Sequence, residues 1–218
     1  MTKLNLYVVR HGQTYFNIYN KLQGWSNAPL TEKGIQGAVT TGQKLANIHF
    51  SAAYSSDTTR AQDTANIILK ENNSAEGVTL ITSPFIREQF YGSFEGDDMD
   101  VVWEKVGAPY NMHTFKELVE NFSLAKIREL MKAADPRHDA ENNTEYWQRV
   151  EQGFTLIANN PELHDNDNVL LISHGNTILS LLERYGDGKF DTRVRPDNGS
   201  VTKMELADGD LTIISYNQ

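Results

Sequence analysis

Val8-Val9-Arg10-His11-Gly12-Gln13-Thr14 and Leu171-Ile172-Ser173-His174-Gly175-Asn176-Thr177 are two copies of one pattern: an apolar strand end, a histidine, a glycine, then polar residues leading into a helix. In an open α/β sheet, ligands bind outside the carboxyl ends of the strands, so both histidines belong at the edge where chemistry is done. If the two strands are neighbours, the imidazoles face one site. The glycine after each histidine lets the chain turn sharply and brings backbone N–H groups close to an anion.

Working outward, residues 4–9, 52–55 and 169–173 read as strands, and each is followed by a stretch with helical spacing. Residues 31–48 carry Ile35, Ala38, Val39, Leu45 and Ala46 on such a spacing. Residues 56–69 open with the N-cap formers Ser56, Asp57 and Thr58, and residues 177–185 follow the third strand. This alternation predicts an α/β fold with a doubly wound, mainly parallel sheet flanked by helices. Residues 97–150 are charged and carry scattered aromatics, and they read as a mostly helical insertion over the carboxyl edge, covering the active site. The tail, 200–206 and 211–216 around Asp208-Gly209-Asp210, reads as a hairpin. With neither repeats nor a linker, residues 1–218 are expected to form one domain.

Composition narrows the chemistry. The 218 residues include no cysteine, which excludes disulfides, thiolate zinc sites and a cysteine nucleophile. A formal net charge of −9 argues against nucleic acid or an anionic membrane as partner. An acidic protein that binds a phosphorylated metabolite must concentrate its cations in one pocket. The apolar stretch near the N-terminus is broken by Asn5 and stops at Arg10, too short for a signal-peptide core, and no apolar run is long enough to span a membrane. A cytoplasmic location is expected, and the sequons at Asn72, Asn121, Asn142 and Asn198 are read as chance.

Arginine placement is the second chemical signal. Arg10 precedes His11, and Arg60 lies in the first turns of the helix after the 52–55 strand, again at the carboxyl edge. Two guanidiniums there offer forked donors suited to phosphate oxygens.

Arg10-His11-Gly12-Gln13-Thr14 with Asn17 resembles the signature of the histidine phosphatase superfamily, which includes the cofactor-dependent phosphoglycerate mutases. The similarity continues through Gln23-Gly24-Trp25, residues 29–34, residues 54–65, residues 87–96 with Glu88, and Ser173-His174-Gly175-Asn176. The resemblance implies that His11 attacks phosphorus as a neutral imidazole and forms a phosphohistidine. It implies that Arg10, Arg60, His174 and Asn17 hold the phosphoryl oxygens, with Gly12, Gln23, Gly24, Gly175 and Asn176 completing the binding site. Glu88 becomes the general acid, which requires a carboxyl held partly protonated near neutral pH. A cationic cradle replaces the magnesium of kinases, so neither metal nor cofactor is expected.

Other signals weigh less. Asp165-Asn166-Asp167-Asn168 lacks the glycine and glutamate of a calcium loop and reads as a turn. His49, His113, His138 and His164 are expected at the surface. Trp103, Phe115 and Tyr146 are expected mainly in the core of the insertion, with a pocket-lining role open to them.

A phosphatase is expected, acting on a small phosphorylated metabolite. The mutases carry an arginine pair in the insertion, whereas Arg128, Arg137 and Arg149 stand apart in a net acidic segment, and residues 23–30 look like the phosphatase branch. The alternatives are a cofactor-dependent phosphoglycerate mutase and a silent regulatory protein on the same fold.

Overall fold

The computed structural model describes residues 2–218. Six strands form one sheet: β1 (Lys3–Arg10), β2 (Ala52–Ser56), β3 (Leu80–Ser83), β4 (Asn168–Ser173), β5 (Val201–Ala207) and β6 (Asp210–Ser215). Their order is β3-β2-β4-β1-β5-β6. The first four run parallel, while β5 pairs antiparallel with both β1 and β6. The expected hairpin is therefore present and extends the sheet. Its turn places Asp208 and Gly209 at φ 54° and 90°, the left-handed region that a two-residue hairpin turn demands.

Alternation along the central strands explains the layering. Leu4, Leu6 and Val8 of β1, with Val169 and Leu171 of β4, join one apolar cluster. Val9, Leu170 and Ile172 join another, on the opposite face. Because successive side chains point to opposite faces, strands apolar at every position need helices on both. On the second face lie α2 (Glu32–Lys44) and α3 (Thr59–Glu71), the latter supplying Ala61, Ala65 and Ile68. The first face is covered by α4 (Met99–Gly107), α6 (Leu124–Ala134), α7 (Asn143–Ala158) and α8 (Gly175–Tyr185). Between them α5 (Phe115–Asn121) is a short turn of helix capped by Thr114, and α1 (Tyr15–Ile18) follows β1 under the cap of Thr14.

Several elements differ from those expected, among them α2, which ends at Lys44 rather than near residue 48, and α8, which starts at Gly175 rather than Thr177. β3 is a strand that the sequence reading does not anticipate, four residues long at the sheet edge and mostly half-exposed. The helix expected over 56–69 begins at Thr59, because Ser56 completes β2 and Thr58 takes the N-cap. The helical segment does not end at 150: α7 carries on to Ala158, with Ile157 buried in the core. His49, His113, His138 and His164 are exposed. No helix among the described residues is long and apolar enough to cross a membrane.

Candidate active site

Parallel pairing of β1 with β4 sets Arg10 against Ser173, so the next residue of each strand emerges side by side. His11 and His174 accordingly meet with ring centroids 5.3 Å apart, both nearly inaccessible to solvent. The close turn after His11 is possible because Gly12 and Gly34 lack side chains. A Cβ on Gly12 would stand 2.7 Å from the Gly34 carbonyl oxygen.

Hydrogen bonds assign the protons. His11 Nδ1–H donates to the Gly12 carbonyl at 2.8 Å, which leaves the Nε2 lone pair free. Desolvation, followed by the nearby charges of Arg60 and Arg10, pushes the His11 pKa well below its ordinary value, so the ring is neutral. His174 Nδ1 accepts from Arg60 Nη2 at 3.1 Å, and its Nε2–H donates to Ser56 Oγ at 2.9 Å. Burial and the Arg60 charge likewise hold His174 neutral.

The two arginines reach this pair from different elements. Arg60, fully buried on the first turn of α3, donates to the carbonyls of Ser26 (2.9 Å) and Gly24 (2.7 Å) as well as to His174. Arg10 donates to the Pro196 carbonyl. Both guanidiniums have their pKa drawn down to about 10 by desolvation; repulsion from Arg195 adds to the effect on Arg10. Gly24 thus serves Arg60 through its carbonyl. The Gly12 N–H is committed to Thr64 Oγ1 at 2.9 Å rather than left open for an anion.

Glu88 comes from the irregular stretch between β3 and α4. It is buried at 4% exposure, and three donors fix its carboxyl group. Gln89 N–H (2.9 Å) and Thr177 Oγ1 (2.8 Å) reach Oε1, while Asn176 N–H (2.8 Å) reaches Oε2. The first turn of α8 therefore orients the carboxyl group, and Asn176 also donates its amide to Tyr91 Oη at 2.6 Å.

A cleft of about 230 Å³ opens over these groups. Arg10, His11, Asn17, Gln23, Glu88 and Gly175 line it, while Arg60 and His174 stand behind the surface. Asn17 Oδ1 accepts from the Thr14 N–H, completing the α1 cap. Of the insertion's aromatics, Trp103 joins the lining together with Met99. Phe115 packs on Trp103 at 4.8 Å, and Tyr146 is wholly buried.

Four residues outside the sequence reading also belong to this neighbourhood. Asn198, noted only as a sequon, donates to the His11 carbonyl at 2.9 Å and lies 3.4 Å from Asn17 Oδ1. Tyr91 and two cations, Lys21 and Arg195, line the cleft. Tyr91 sits in the 87–96 block and was open to inspection. Arg195 precedes β5 and had no signal beyond its charge.

Three known proteins resemble this chain over nearly its whole length. A 2,3-bisphosphoglycerate-dependent phosphoglycerate mutase of Cytophaga hutchinsonii is 31% identical over 97% of this chain and 92% of that protein. The crystal structure of a phosphoglycerate mutase from Bacillus anthracis str. Sterne is 35% identical, with a TM-score of 0.91 over 100% of this chain and 94% of the other. A mycobacterial glucosyl-3-phosphoglycerate phosphatase, 22% identical, shares the fold with a TM-score of 0.71, covering 99% of each chain. The model of the histidine phosphatase superfamily (branch 1) matches residues 6–218. With its paired histidines at neighbouring strand ends and this match along nearly its whole length, the chain belongs to the histidine phosphatase superfamily.

Proposed function

We propose that the protein hydrolyses a small phosphomonoester through a phosphohistidine on His11, without a metal ion. One observation carries the phosphate reading. A chain of formal net charge −9 gathers Arg10, Lys21 and Arg195 around the neutral His11 at one cleft, with the buried Arg60 behind it. Cations concentrated in this way suit the oxygens of a bound phosphoryl group, whose hydrogen bonds they strengthen by charge.

In the first half-reaction His11 Nε2 bonds to phosphorus as the ester P–O bond breaks, and Glu88 gives its proton to the departing oxygen. The Gly12 carbonyl keeps the Nδ1 proton in place. In the second half-reaction water attacks phosphorus, passes its proton to the Glu88 carboxylate, and the P–N bond opens to restore neutral His11. Arg10 and Arg60 offset the charge that builds on the phosphoryl oxygens, the main requirement of such transfers.

Hydrolysis is favoured over mutase chemistry by the fate of the insertion's arginines. Arg128 is buried against Tyr146 and bonds Asn143 and Ser180; Arg137 pairs with Asp139 at the surface; Arg149 pairs with Glu141. None of the three lines the cleft. A second reading, phosphoglycerate mutase, is favoured by Lys21 and Arg195, two cations at the cleft that could meet a substrate carboxylate. Incubating pure protein with p-nitrophenyl phosphate and, separately, with 3-phosphoglycerate decides between them. Phosphate release from both supports the hydrolase; fast isomerisation of 3-phosphoglycerate without phosphate release would overturn it.

A further inference from the structure

Glu88 is buried in a stretch with no strand pairing, so its carbonyl and those just before it depend on side-chain donors. One side chain from the insertion supplies most of them. Arg149, on α7, donates from Nη1 to the carbonyls of Phe85 (3.0 Å) and Arg87 (2.9 Å), and from Nη2 to that of Glu88 (3.0 Å). Its remaining two N–H groups go to Glu141, Nε at 2.6 Å and Nη2 at 2.8 Å. All five guanidinium protons are thereby used. Glu141 closes the clasp by accepting from the Phe90 N–H at 2.9 Å. The pair is nearly shielded from water, at 11% and 10% side-chain exposure, and the guanidinium carbon stands 5.7 Å and 5.5 Å from the ring centres of Trp25 and Tyr146. Trp25 Nε1 gives the Glu88 carbonyl a second donor at 3.0 Å.

We propose that Arg149 is a positioning residue for proton transfer: it grips the backbone at 85, 87 and 88 so that the Glu88 carboxyl group stands in register with the leaving-group oxygen. This rests on the reading of Glu88 as the proton donor. A buried ion pair by itself says little about stability. Here, however, three of the five bonds go to carbonyls of the segment that carries the acid. A shift of about 1 Å in a reacting group can cost on the order of 100-fold in rate. Lysine at this position has three donors on a single nitrogen and cannot span the three carbonyls and the carboxylate.

The test uses two esters that differ in their need for an acid. p-Nitrophenolate departs without a proton, whereas the alkoxide of glycerol 2-phosphate does not. The readout is kcat/KM, which reports the steps through phosphoryl transfer to His11. Arg149→Lys should lower kcat/KM for glycerol 2-phosphate by on the order of 10- to 100-fold, and for p-nitrophenyl phosphate by no more than about threefold. Glu141→Gln keeps the guanidinium and should show the same asymmetry more weakly, which carries the test if Arg149→Lys fails to fold. Equal losses on both esters in these variants, or no loss on either, would overturn the positioning role. Glu88→Gln is the reference: if it lacks the asymmetry, the assignment of the acid fails instead.

Discussion

The carboxyl edge of β1 and β4 and the helical segment that begins at α4 reach the same cleft by opposite routes. At the strand edge, register alone brings His11 and His174 together, and Arg10, His11, Arg60 and His174 each sit within a residue or two of a strand end or helix start. In the insertion, the groups touching the cleft are the apolar Met99 and Trp103, while Arg128 and Arg149 are spent on holding side chains and backbone. The difference is instructive. On the proposed function, the edge would handle the phosphoryl group that all substrates share, and the insertion would meet the part in which they differ.

That contrast can be broken at several points. The largest effect is expected from His11→Ala, which should lower turnover by on the order of 10,000-fold or more and abolish acid-labile phosphoenzyme, with every ester affected alike. EDTA should change neither reading. Substantial turnover surviving in that variant would end the covalent mechanism. Arg60→Ala should cost on the order of 100- to 1,000-fold in kcat, again irrespective of the leaving group, and Arg60→Lys should not restore it because the carbonyls of Gly24 and Ser26 and the His174 ring need a fork. A loss confined to one substrate would move Arg60 from the shared floor to the selective wall.

Trp103→Ala should behave in the opposite way. Across a panel of phosphorylated metabolites it should reorder kcat/KM, by about tenfold for the best substrate, while p-nitrophenyl phosphate hydrolysis changes less. A uniform change across the panel would mean that the insertion acts only as scaffold. The smallest effect concerns stability. His11 and His174 stay neutral when folded but take up protons near pH 6.5 when unfolded. Below that pH the unfolded chain binds more protons, so stability falls as the pH drops from about 6.5 towards 5. Urea midpoints followed over this range should show the slope, and His11→Asn should make it shallower.

Much of the edge was legible because its determinants are local. A strand end, a glycine and a polar helix start announce themselves within seven residues, twice. β3 was missed although Val78-Thr79-Leu80-Ile81-Thr82 is rich in strand formers between Gly77 and Pro84; its length and half-exposure weaken the periodic signal. The clasp of Arg149 on residues 85–88 left no trace in the chain order, since the partners are some 60 positions apart and the acceptors are carbonyls, which every residue has. Asn198 escaped for the same reason. Charge counting read the insertion's arginines as isolated; packing shows two of them, Arg128 and Arg149, bound inside the protein.

The sheet order has a consequence for biosynthesis. β1 is made first but lies between β4 and β5, with Asn5 opposite Asn168 on one side and Glu205 on the other. While the chain is growing, the strand that leads into His11 therefore has neither neighbour, and closing those long loops is entropically slow. The cleft around His11 can assemble only when β4 and β5, far along the chain, have emerged. A nascent chain carries His11 through most of its synthesis without the partners it meets in the folded protein.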